Sequence, residues 1–135
     1  METSCVFSQI CNASIEALFF SGVRNVVLEN NLLFDNSNIY CGDPSNIEFV
    51  KKIKFVKGKT GIVCANDSTA AVLMSTLDAI GVKISSDILI CGYDNMKYST
   101  HLKCSLTSFE QPCVDITSVS IDLMMRGSKT RKQYR

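Results

Sequence analysis

The chain has 135 residues, a formal net charge of +1, 46% hydrophobic and 20% charged residues. That length suits one domain around a single core, and the composition excludes a long disordered chain. Near-neutral charge offers no general attraction to nucleic acid, no apolar run approaches the ~18 residues of a membrane span, and no basic-then-apolar secretory pattern opens the chain.

Seven cysteines are many for this length, but the number is odd and none are spaced Cys-x-x-Cys. Cys41, Cys64 and Cys91 fall in expected buried strands, where a free thiol acts as a small apolar group, so reduced cysteines and a cytoplasmic setting are expected. With His101 the only histidine, no zinc ligand set has workable spacing. The expectation is no metal and no cofactor.

In chain order, Cys5-Val-Phe-Ser reads as a short strand. Asn12 is a good N-cap for a helix with Ala13, Ala17, Leu18, Phe19 and Phe20 on its apolar face and Gly22 as its stop. Residues 25–29 then read as a buried strand, and residues 38–42 as the next. Only residues 30–37 separate them, while a parallel crossover needs about 10 to 12 residues or more, so a deletion or a different pairing is expected here. Asp43-Pro44-Ser45 signals a helix start, with Ile47, Val50 and Ile53 as its stripe. Lys51, Lys52, Lys54, Lys57 and Lys59 form a basic run with Phe55 as its single aromatic, which fits a solvated face better than a nucleic-acid patch.

Residues 60–112 carry the clearest grammar. Gly61 to Ala65 is a continuous apolar run, Asn66-Asp67-Ser68 a polar break, and Ala70, Leu73, Leu77 and Ile80 recur at helical spacing before Gly81. Asp67 or Ser68 is the expected cap, and Gly81 the expected stop. Ile88-Leu-Ile-Cys-Gly is a second buried strand, followed by the polar break Tyr93-Asp94-Asn95. Strand, helix, strand is a right-handed parallel βαβ unit. Tyr98 and His101 lie in an irregular stretch with no nucleophile and oriented base in view, so an enzyme is not expected. Residues 105–112 read as a last strand, and residues 112–125 as a helix with Val114, Ile116, Val119, Ile121 and Leu123 among its apolar positions. The fold class expected is α/β, an open, mainly parallel sheet of about five strands with helices on both faces.

In such a sheet the crevice beyond the carboxyl ends of the strands collects ligands. Asn66, Asp67, Asp94 and Asn95 all fall there, and amides and carboxylates without a basic residue or a Gly-rich loop suit a polyhydroxylated molecule better than a phosphate. The plainer reading is that they cap helices and shape turns.

The run Thr60-Gly-Ile-Val-Cys-Ala-Asn-Asp-Ser-Thr-Ala-Ala, then Leu77-Asp-Ala-Ile-Gly through Cys91-Gly-Tyr-Asp-Asn, then Leu106-Thr-Ser-Phe-Glu-Gln-Pro, resembles the effector-binding domain of LacI/GalR-type transcriptional regulators. The resemblance is strong over residues 60–125, weaker over 14–29, where Arg24 takes the family's basic place, and poor over 30–47. It implies a periplasmic-binding-protein type I fold, here residues 1–126 as a partial effector-binding domain, mostly its C-terminal lobe, and residues 127–135 as a basic flexible tail. It also implies that residues 5–8 sit at a connection between lobes, and that Asn66, Asp94 and Gln111 face a small effector, most often a sugar, with Asp67 capping its helix. The family's effector-gripping Arg helix has no counterpart in this reading. DNA would be reached only through a helix-turn-helix that these residues do not contain, and homodimerisation is compatible with the family. Two alternatives stay open: a truncated or structural, dimerising lobe without a ligand, and a flavodoxin-like or nucleotide-dependent enzyme, against which the absence of Gly-x-Gly-x-x-Gly counts.

Overall fold

The structure is a computed structural model that describes residues 4–8, 15–31, 36–55, 60–84, 88–97 and 102–131. Its elements are β1 (Ser4–Ser8), α1 (Ile15–Glu29), a 3-10 turn at Asn36–Asn38, β2 (Ile39–Cys41), α2 (Ile47–Val50), β3 (Thr60–Cys64), α3 (Asp67–Ala79), β4 (Ile88–Tyr93), β5 (Thr107–Phe109) and α4 (Cys113–Arg131). The five strands form one sheet in the order β2-β1-β3-β4-β5, every pairing parallel. The α/β class with an open parallel sheet is therefore as expected.

The first third of the chain is organised differently from its reading in sequence. Residues 25–29, expected as a strand, are the C-terminal half of α1, which runs unbroken through Gly22. Val23 is half-buried and Val27 buried while Val26 and Leu28 are exposed, which is a helical period that a run of β-branched residues disguises as strand. A mid-helix glycine costs about 1 kcal/mol but does not by itself stop a helix. The stop comes at Asn31, whose φ of 55° and N–H bond to Leu28 O, 3.0 Å, turn the chain out. Residues 5–8 are the short strand expected, and not merely a connection between lobes: β1 pairs with both β2 and β3 inside the sheet. With β1 as the preceding strand, the crossover to β2 contains a whole helix, and the deletion inferred from a short crossover disappears.

Three further differences are local. Asp43 does not cap α2; it accepts from the Ser45 N–H, 2.9 Å, and the Ser45 hydroxyl, 2.7 Å, while Asn46 caps the helix through the Phe49 N–H. Cys41 is exposed and disulfide-bonded, so the expectation of reduced thiols fails at that position. And α4 continues through residues 127–131, part of the segment expected to be a flexible tail. The expected N-cap Asn12, together with Lys57, Lys59, Tyr98 and His101, lies outside the described residues.

Crossover handedness decides which face each helix covers. The chain moves one way from β1 to β2 and the other way from β2 to β3 and from β3 to β4, so right-handed connections put α1 on one face and α2 with α3 on the other. The α2/α3 face is the core: Val50, Ile53, Ile62, Cys64, Ala70, Leu73, Met74, Leu77, Ile88 and Ile90 form one buried cluster. The opposite face of β3 to β5 is barer, with Leu89 47% and Phe109 62% exposed. Residues 113–127 of α4 are all exposed, Val114 at 82%. Among the described residues no helix is long and apolar enough to cross a membrane.

Candidate functional site at the strand ends

Each strand-end residue owes its place to a local device. β3 delivers Asn66 in extended conformation, φ −157° and ψ 170°, and the chain then turns into α3. The Asn66 Oδ1 accepts from the Thr69 N–H, 2.8 Å, so Asn66 is the N-cap rather than Asp67 or Ser68. The far end of α3 closes as expected: Gly81 has φ +78°, and the Gly81 and Val82 N–H groups bond back to Asp78 and Leu77 carbonyls at 3.0 and 2.9 Å.

At the end of β4, Asp94 and Asn95 both take positive φ, 104° and 48°, a region Asp and Asn tolerate better than most side chains. The Asp94 N–H bonds to Phe109 O, 2.9 Å, and the Asn95 N–H to the Ser108 hydroxyl, 3.0 Å, tying this turn to β5. Past β5, the Gln111 Nε2 donates to Asp94 Oδ1 at 2.5 Å. Asn95 Nδ2 reaches Glu110 Oε2 at 3.4 Å.

Two of the three residues singled out in sequence, Asp94 and Gln111, are thus in direct contact, and Asn66 stands at the end of the adjacent strand β3. All three are half-buried. The hydrogen bonds also say what each has left to offer. Asn66 has used its acceptor on the helix and keeps its two amide donors; Asp94 keeps Oδ2 as an acceptor and Gln111 keeps Oε1. Amide donors and carboxylate or amide acceptors are groups that can exchange hydrogen bonds with hydroxyls.

Sequence reasoning missed the inward turn of Asp67, which is fully buried and hydrogen-bonded to the Ser108 hydroxyl and the Met96 N–H. The one sequence signal for it was Gly92, a glycine inside a strand, which marks a close approach. Neither strand thiol, Cys64 or Cys91, is activated as a nucleophile. Burial pushes the Cys64 thiol up to about 12, helped by Cys91 and Asp67, and burial likewise raises Cys91. Both are therefore thiols, not thiolates, at neutral pH. Among the described residues no group of three or more His, Cys, Asp or Glu side chains could hold a metal ion. An apolar cavity of about 490 Å³ lies elsewhere, between α3 and residues 102–104, and is lined by Met74, Val82, Ile84 and Leu102 among others. Asn66, Asp94 and Gln111 are not among its lining residues.

The family described as periplasmic binding protein-like domain matches residues 5–134. The chain belongs to that family. Among its relatives, the HTH-type transcriptional repressor PurR of Photobacterium profundum is 29% identical over 118 residues, which is 84% of this chain and 35% of that protein. A transcription regulator from Lactobacillus plantarum superposes with a TM-score of 0.76 at 19% identity, over 93% of this chain and 51% of that one. A LacI family transcriptional regulator from Lactobacillus casei, solved with bound glucose, has a TM-score of 0.67 at 16% identity, over 93% of this chain and 50% of that one. The chain therefore spans about a third to a half of the length of the proteins it matches.

Proposed function

We propose that this chain is the effector-sensing portion of a LacI/GalR-type transcriptional regulator, and that a small neutral polyol, a sugar in the first instance, sits against the strand ends at Asn66, Asp94 and Gln111. The observation that supports this reading is the half-buried Asp94–Gln111 hydrogen bond, which leaves Asp94 Oδ2 and Gln111 Oε1 as acceptors, with the Asn66 amide at the end of the neighbouring strand. In this reading the strand ends form one wall of a cleft, a second lobe forms the other, and closure upon the effector changes affinity for an operator. Such coupling requires the effector to bind the two conformations with different affinity. Operator recognition belongs to a helix-turn-helix elsewhere in the regulator, the setting is the cytoplasm, and the activity is regulatory, not enzymatic. The glucose-bound neighbour supports a sugar as the first probe.

Titration of the ¹⁵N-labelled chain with glucose and a panel of other neutral sugars tests the assignment. One wall of a cleft binds weakly, with Kd on the order of 1 mM or above, and the shift changes should centre on residues 66, 94–96 and 111. Asp94→Gly, which removes the carboxylate and accepts the φ of 104°, should abolish those changes and keep the fold. Shifts confined to the apolar cavity beside α3, or an unaltered response in Asp94→Gly, would overturn it.

A further inference from the structure

We propose that Asp67 is the positioning residue of this site: its carboxylate, out of an effector's reach, clasps the turn after β4 and the end of β5 and thereby sets where Asp94 and Gln111 stand. The purpose rests on the effector reading above; the geometry does not.

Asp67 is 0% exposed. A carboxylate out of water is costly unless several donors satisfy it. Here Oδ2 accepts from the Met96 N–H at 2.7 Å and Oδ1 from the Ser108 hydroxyl at 2.5 Å, while the first turn of α3 adds the partial positive charge of a helix N-terminus. Those donors come from two different strand-end segments, 29 and 41 residues away in sequence. Ser108 passes the constraint on, because its oxygen also accepts from the Asn95 N–H, and Asn95 adjoins Asp94 in a backbone held at positive φ. Gly92 and Ser108 are register partners on neighbouring strands, and Asp67 lies over them. A Cβ at Gly92 would stand 3.2 Å from the Asp67 Cα and within contact distance of Oδ1, so a bare glycine is what lets the carboxylate reach β5.

A residue that merely stabilised the fold would lower global stability and leave the folded site as it was. Asp67 as a positioning residue predicts a change inside the folded state. Native-state amide exchange and the side-chain amide signals of the whole chain read it in Asp67→Asn, Ser108→Ala and Ser108→Thr. In Asp67→Asn the Met96 and Asn95 amides should exchange on the order of tenfold faster relative to core amides such as those of Leu73 and Leu77, and the Gln111 side-chain amide should move. Ser108→Ala should do the same at Asn95 and Gln111 and spare Met96; Ser108→Thr, which restores a hydroxyl, should reverse it. Should Asp67→Asn fail to fold, the Ser108 pair decides alone. Amides of residues 95 and 96 that change only in step with the core overturn the proposal. If they respond as stated and no sugar binds even the unaltered chain, positioning stands and the sugar reading falls; if glucose binds equally well to chains whose turn stays put, positioning falls.

Discussion

Adding one methyl group at Gly92 should destabilise this protein more than most single changes could. The new Cβ would overlap Asp67 Oδ1 and press within 3.3 Å of Cγ and 3.2 Å of Cα, the last of which cannot move without lifting the first turn of α3 off β4. If the carboxylate swings aside it loses the Ser108 and Met96 donors, each worth roughly 1.5 to 3 kcal/mol as a bond to a charged group. If the backbone yields instead, overpacking costs about 1 to 3 kcal/mol. The first route costs about 3 to 6 kcal/mol and the second about 1 to 3; the cheaper one sets the loss for Gly92→Ala at about 1 to 3 kcal/mol, a sizeable part of the 5 to 15 kcal/mol typical of a domain. Urea unfolding followed by circular dichroism measures it, with Gly22→Ala as the control. Gly22 lies inside α1 with nothing within 4 Å of the position of its Cβ, so that change should stabilise, by about 0.5 to 1 kcal/mol. A loss below about 1 kcal/mol for Gly92→Ala, or equal effects at the two glycines, would refute the account of Asp67 as a packed, hydrogen-bonded clasp.

Other expectations follow from single residues. The thiol of Cys64 is raised from the ordinary 9.0 to about 12 by burial, so between those values the unfolded chain has released a proton that the folded chain keeps. Its contribution to stability is intact below pH 9 and falls by about 1.4 kcal/mol per pH unit as pH rises toward 12; Cys64→Ala should flatten the alkaline slope of unfolding free energy, and equal slopes would contradict the assignment. Thr60 is buried with a hydroxyl that has no hydrogen-bond partner, so Thr60→Val should raise stability by about 1 kcal/mol in the same urea assay. On α4, Val119→Lys and Leu123→Lys replace exposed side chains, and each should shift stability by no more than about 0.5 kcal/mol while reducing binding of a hydrophobic dye. A large loss of stability in either variant would show that α4 packs against the lobe.

The segments read most truly in sequence are those whose signals are local. A continuous apolar run, a polar break and Gly81 specify β3, α3 and the helix end within about twenty residues, and the same grammar announces β4 and the break at Asp94. Each depends on backbone preferences and periodicity that act over one or two turns. Where local signals conflict, tertiary packing decides. Val23, Val26 and Val27 favour a strand by branching and a helix by spacing, and the burial of Val27 in a helix that packs on β1 selects the helix. The meeting of Asp94 with Gln111, and the inward turn of Asp67 beneath Ser108, are of the same kind. The residue types stand in the sequence, but their partners lie 17 and 41 positions away. Which of them meet depends on β5 lying next to β4, a neighbour relation that belongs to the sheet and is written in no single stretch of chain.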